Sequence, residues 1–251
     1  MTHEDHRKEL IDHPGLQVLL PYLRSYVQKG LAEVRSEKKT FTASAVDIYA
    51  AGVCERVSEL DNALAALRLT LNFVMDLGSE PSPSPDIYRY HYENFVLRVI
   101  GFVDRAHRLV GAALLMDKRK FEAIAGNAHV QKQLKPDHPD ILQALEGVSQ
   151  AVESYRGPRN ELIHSSAFSN RELGLFMSIR QLGLETEDID VDELARQHFS
   201  EGSKEIALTL ASMVQALTVL LATLAPLFAT AAAHEESPQK KSAPEGADQV
   251  G

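Results

Sequence analysis

The chain has 251 residues, a formal net charge of −9 and a pI near 5.6, a balance that excludes a protein built to coat nucleic acid non-specifically. One cysteine, Cys54, excludes an internal disulfide framework. Hydrophobic residues make up 44% of the chain, yet Trp is absent and aromatics reach only 6%, so the core must be aliphatic and suits helices packed on Ala, Leu and Val. The charge is uneven. Residues 88–180 hold 13 Lys and Arg against 10 Asp and Glu, or +3, which leaves −12 on the rest.

The opening MTHEDHRKELIDHPG is polar, with no apolar run of the secretory kind, and the expectation is a cytoplasmic protein. From Gly15 to Glu37 apolar residues recur at helical spacing (Leu16, Leu19, Leu20, Leu23, Val27, Leu31, Val34). Thr42 or Ser44 is placed to cap a second helical stretch ending at Gly78, as one helix or two joined. GSEPSPSPD follows, and its prolines cannot continue a helix. This predicts an N-terminal helical region at 1–78, a Pro/Ser linker at 79–86 and a helical bundle at 87–233. Asp86 is placed to cap the first bundle helix.

Tyr88 to Asn127 is helical in pattern, with a break near Asp117. NAHVQKQLKPDHPD reads as a loop, and DILQALEGVSQAVESY as a helix that stops at Gly157–Pro158. A new helix can open with PRNELIHSS, because proline is tolerated in a first turn. Residues 171–190 form an insert, either a short strand pair or an irregular excursion. The last helix runs from Val191 to Ala232, and the polar stretch from 234 to 251 is expected to be disordered. Ile206–Ala233 carries no formal charge and is long enough for a bilayer, but its Thr, Ser, Gln, Pro and Ala content favours a helix buried in a bundle or dimer seam. The fold class is all-α, an up-down helical bundle with additional N-terminal helices.

The segment that carries chemistry is Arg159-Asn160-Glu161-Leu162-Ile163-His164. Asn160 and His164 are four apart and share a helical face. Arg159 lies near the helix start, whose positive dipole end favours an anion such as phosphate. A bare Arg–His spacing is weak, since Arg7 and His13 have one too; the adjoining Asn and the Gly–Pro break make the later one specific. The bland alternative is a capped helix with a surface arginine and a satisfied histidine.

PRNELIH resembles the Arg-Asn…His signature of the HEPN superfamily. YRYHYENFVLRVIGFVDRAHRLVG resembles the Tyr- and Arg-bearing helix of a stand-alone bacterial branch, and the likeness covers roughly residues 86–170. The resemblance implies a four-helix bundle that dimerises with the two motifs facing each other. It also implies a metal-independent endoribonuclease of the kind found in toxin–antitoxin or anti-phage systems, or else a non-catalytic module that binds nucleotides or protein partners.

In such an enzyme a neutral imidazole, with a reference pKa near about 6.5, takes the ribose 2′-OH proton. A guanidinium holds the phosphoryl oxygens. His164 is then the acid/base, Arg159 the phosphate clamp and Asn160 the orienter, with Arg156, Tyr92 and Arg98 as substrate contacts. No cofactor or metal is called for. The expected partners are RNA, a second copy of the chain, and an antitoxin or defence protein, with no membrane. Arg98, Asp104 and Arg105 are either supporting groups that reach the cleft or, more blandly, members of ordinary bundle ion pairs.

Overall fold

Ser44 opens the longest element of the core. Its hydroxyl accepts the Asp47 N–H at 3.2 Å, while the Asp47 carboxylate accepts the Ser44 N–H at 3.3 Å, a reciprocal cap that satisfies two orphan donors. From it the chain runs unbroken from Ala45 to Leu77, one helix with no joint. The computed structural model describes residues 9–35, 40–164, 171–186 and 189–236.

In chain order the helices are α1 (Leu20–Arg35), α2 (Ala45–Leu77), α3 (Pro85–Val99), α4 (Gly101–Ala113), α5 (Lys118–Phe121) and α6 (Gly126–Asp137). Then come α7 (Pro139–Gln150), α8 (Arg156–His164), α9 (Arg171–Leu182) and α10 (Val191–Glu236). Short 3₁₀ turns occupy Leu10–Asp12, Pro14–Leu16 and Glu153–Tyr155. The described residues contain no strand. The chain is an all-α helical bundle.

α2 and α10 form its spine. α2 packs on α10, α4, α1 and α3, and α7 closes the bundle against α10 and α4. One apolar core runs through all of them, from Leu60, Leu64 and Leu67 of α2 to Phe95, Phe102, Phe199, Leu220 and Phe228. It passes without a break from one side of the Pro/Ser segment to the other. That segment is itself fastened down: Arg196 donates to the Pro81 carbonyl and Arg180 to the Ser82 hydroxyl. At the other end, the Leu10 and Ile11 amides donate to Asp61 on α2.

Several local expectations are corrected. The cap of α3 is Ser84, with Pro85 in the first turn and Asp86 behind it. Residues 127–137, expected as loop, lie in α6. Val130 and Leu134, four apart, are buried there, and tertiary burial overrides the polar composition. Most of the insert is helix α9, whose buried Leu173 and Phe176 sit one turn apart; Gly183, with φ of 61°, ends it. α10 continues to Glu236, so the tail expectation is displaced at 234–236, and its remainder lies outside the described residues.

Among the described residues, α10 is the one helix long and apolar enough to cross a membrane, with a third of its apolar window buried inside this chain. Its inner face carries Ile206, Leu210, Met213, Leu217, Leu224 and Phe228. The exposed residues of its uncharged stretch are mainly Ala, Thr and Ser, with Leu208 and Val219 among them.

Candidate functional site

α8 is a short helix held at its root. Tyr155, immediately before it, is fully buried and meets Phe95 of α3 edge-on at 5.2 Å. Its hydroxyl donates to Glu205 of α10 at 2.7 Å and lies 3.2 Å from the Thr209 hydroxyl. Burial first, and then the Glu205 carboxylate, push the Tyr155 phenol well above its ordinary range, so it stays a donor. α8 begins at Arg156, two residues earlier than the Gly–Pro break suggested, and Pro158 sits in the first turn where its missing N–H costs nothing.

From that root the helix projects its motif outward. Leu162 is half-buried against the bundle, and Arg159 is half-buried beside it. Asn160 and His164 are exposed. At 3.6 residues per turn Asn160 and His164 lie about 40° apart on the helix, and Arg159 about 140° from His164. None of the three side chains makes a hydrogen bond or ion pair among the described residues. Asn160 and His164 are thus unspent groups on one exposed arc, while Arg159 lies to the side of it, half-buried next to Leu162.

The other predicted contacts separate. Arg156 stands at the start of α8 and pairs with Glu153 at 2.6 Å, with both side chains solvated. Tyr92 is only 9% exposed; its ring stacks on Tyr88 and its hydroxyl reaches Glu205 at 3.5 Å. A base cannot lie on a ring so enclosed. The accessible tyrosine of the three is Tyr90, 66% exposed. Sequence spacing could have separated them: 88 and 92 are four apart on the inner face, with 90 opposite.

Arg98 lies elsewhere. Its Nε donates to Asn94 at 2.5 Å, and its head lines a groove between α2 and the α3–α4 junction together with Arg105 and Arg108. Asp104 instead accepts from Asn127 at 2.6 Å. His107 is a core residue with no exposed surface. Its Nδ1 is 2.7 Å from the Val103 carbonyl and its Nε2 3.1 Å from the Gln131 amide.

A family model described as Cthe2314-like HEPN matches residues 30–231 of the chain. The chain belongs to this HEPN family. The HEPN match begins within α1, takes in all of α2 and ends near the close of α10, so it covers far more than the 86–170 segment that carries the sequence resemblance. It joins α2 to the elements beyond the Pro/Ser segment, as the shared core does. No curated protein and no solved structure matches the chain.

Proposed function

We propose that this HEPN protein is a metal-independent endoribonuclease, with α8 as its catalytic helix. The observation that carries the reading is that Asn160 and His164 are exposed and Arg159 half-buried on one rooted helix, with no side-chain partner consuming any of them among the described residues. His164 takes the proton from a ribose 2′-OH. The resulting alkoxide attacks the neighbouring phosphorus, the bond to the 5′-oxygen breaks, and that oxygen regains a proton. The products are a 2′,3′-cyclic phosphate and a 5′-hydroxyl. Arg159 holds the phosphoryl oxygens as charge builds on them, a task suited to a planar guanidinium. Asn160, within 40° or so of the imidazole, orients the phosphate or the base beside it.

The angular gap between Arg159 and His164 favours a homodimer, in which the arginine of one protomer and the histidine of the other meet across a shared cleft. The reading is of a cytoplasmic enzyme, with α10 as a bundle helix rather than an anchor, working beside an antitoxin or defence partner. Purified protein is expected to cleave single-stranded RNA in EDTA. Arg159→Ala and His164→Ala each lower the rate about 100-fold or more. Cleavage that requires added magnesium, or that survives both substitutions, overturns the reading.

A second reading is a non-catalytic module that binds nucleotides or a protein. It is favoured by the exposure of His164, which within one chain lies opposite the core with no enclosing walls from its own helix. An intact dimer that cleaves no RNA, yet is stabilised against heat by a nucleotide, selects it.

A further inference from the structure

The groove that Arg98 lines is cationic on an otherwise acidic molecule. It measures about 610 Å³ and lies between α2, which contributes Asn62, Ala63 and Ala66, and the junction of α3 and α4. Arg98, Arg105 and Arg108 all line it. Among its described lining residues Glu59 is the one carboxylate, and Glu59 is committed to Arg56 at 2.6 Å. None of the three lining guanidinium groups has an ion-pair partner among the described residues. In a chain of net charge −9, with acids outnumbering bases by 35 to 26, three unneutralised arginines in one groove stand out from the surface around them.

Their arrangement is ordered. Positions 98, 101, 105 and 108 are separated by three, four and three residues, so they form one stripe along the α3–α4 edge. Gly101 occupies the remaining place in the stripe. A Cβ there would come within 2.7 Å of Arg105 Nη1, so the bare glycine leaves room for this guanidinium against the helix junction. Arg98 is steadied by Asn94 through Nε, which leaves its two terminal nitrogens for a ligand. A stripe of guanidinium groups along an open groove suits successive phosphates of a strand. The groove and α8 share α3 as a neighbour: Phe95, one turn before Arg98 on α3, packs on Tyr155 at the root of α8.

We propose that Arg98, Arg105 and Arg108 form a backbone-binding groove for single-stranded RNA, holding the strand a few nucleotides from the bond presented to α8. The role given to the strand rests on the ribonuclease reading, while the groove's binding is measurable without cleavage. The test uses full-length His164→Ala protein and a fluorescein-labelled oligouridylate, followed by anisotropy across a salt series. Adding Arg98→Gln, Arg105→Gln and Arg108→Gln together is expected to weaken binding about tenfold or more at low salt. It should also reduce the slope of log affinity against log salt by about 2, at roughly 0.7 per lost phosphate contact. Gly101→Ala displaces only the end of a flexible side chain, so it should weaken binding while leaving the melting temperature in place.

Equal affinity and slope in parent and triple variant, with both folded by circular dichroism, overturns the proposal. So does ATP that binds the parent more tightly than the oligomer and is lost in the triple variant, which marks a nucleotide pocket instead. If the wild-type chain cleaves no RNA but the triple variant still loses binding, the catalytic reading falls and the groove stands. Cleavage by the wild type with no binding loss in the triple variant has the opposite meaning.

Discussion

Tyr155 donates its hydroxyl proton to Glu205 over 2.7 Å, and this contact fastens the foot of α8 to α10. A nine-residue helix has too few internal hydrogen bonds to be stable alone, so its direction comes from this root and from Leu162. Tyr155→Phe keeps the ring against Phe95 but leaves Glu205 with only the longer contact from Tyr92. The expected loss is about 1–2 kcal/mol in denaturant unfolding. RNA cleavage should fall further than Arg156→Gln lowers it, because the motif loses its bearing. Unchanged stability and unchanged cleavage in Tyr155→Phe would show that the root is set by packing alone.

The angular separation of Arg159 and His164 makes a distinct prediction for a mixture of chains. Arg159→Ala and His164→Ala homodimers should each be inactive. Co-refolded together, they form a heterodimer in which one site pairs the intact Arg159 of one protomer with the intact His164 of the other. Cleavage in EDTA should therefore reappear on mixing, and should track the heterodimer fraction resolved by a tag. No recovery in a purified heterodimer means that each protomer uses its own pair.

Much of this was legible in the chain because the helix signals are local. Ser44 with Asp47, the prolines after Leu77 and the three-four spacing of apolar residues each act within a turn or two. The Arg159–His164 pattern was visible for the same reason. What failed depended on distant partners. α6 looks like a loop until His107, buried 24 positions earlier, is seen to need Gln131. Tyr92 reads as a substrate contact because nothing near it in sequence reveals that its hydroxyl meets Glu205 of α10. The groove is half legible: Arg98 and Arg105 stand out in the sequence, but Arg108 and the spent state of Glu59 emerge only when α2 is laid alongside.

Asp47 links the cap of α2 to α1. It is 2% exposed, and its carboxylate takes Lys29 Nζ at 2.5 Å and the Ser25 hydroxyl at 3.3 Å besides the cap. Burial alone would raise its pKa, but Lys29, Ser44 and Ser25 together outweigh burial and hold it below its ordinary 3.8. A depressed carboxyl contributes stability that is complete above about pH 4 and is lost as pH falls through the lower, folded value. Asp47→Asn should cost about 1–2 kcal/mol at neutral pH and should shrink the stability lost between pH 4 and pH 2. Parallel acid-unfolding curves for the two proteins would remove Asp47 from this account.

His107 makes the opposite end of the pH range informative. Burial lowers its pKa, against smaller upward pulls from the Val103 carbonyl and Asp104, so the folded ring is neutral. Nδ1–H then donates to Val103, and Nε2 accepts from the Gln131 side chain. Below about pH 6.5 the unfolded chain binds a proton that the folded ring refuses, so stability falls as pH drops until the folded value is reached. Burial pushes His91 and His13 the same way, so part of the slope is theirs. His107→Gln removes the titrating group while keeping a polar side chain beside Gln131. It should flatten the decline in unfolding free energy between pH 6.5 and 5, measured in urea at fixed salt. It should also cost stability at pH 8, where the histidine network is complete, by about 1–3 kcal/mol. A slope unchanged by the substitution would assign the whole decline to the other histidines. A slope that steepened would mean that His107 is charged in the folded protein, with Nδ1–H still donating to Val103 and Nε2–H donating to the Gln131 side chain.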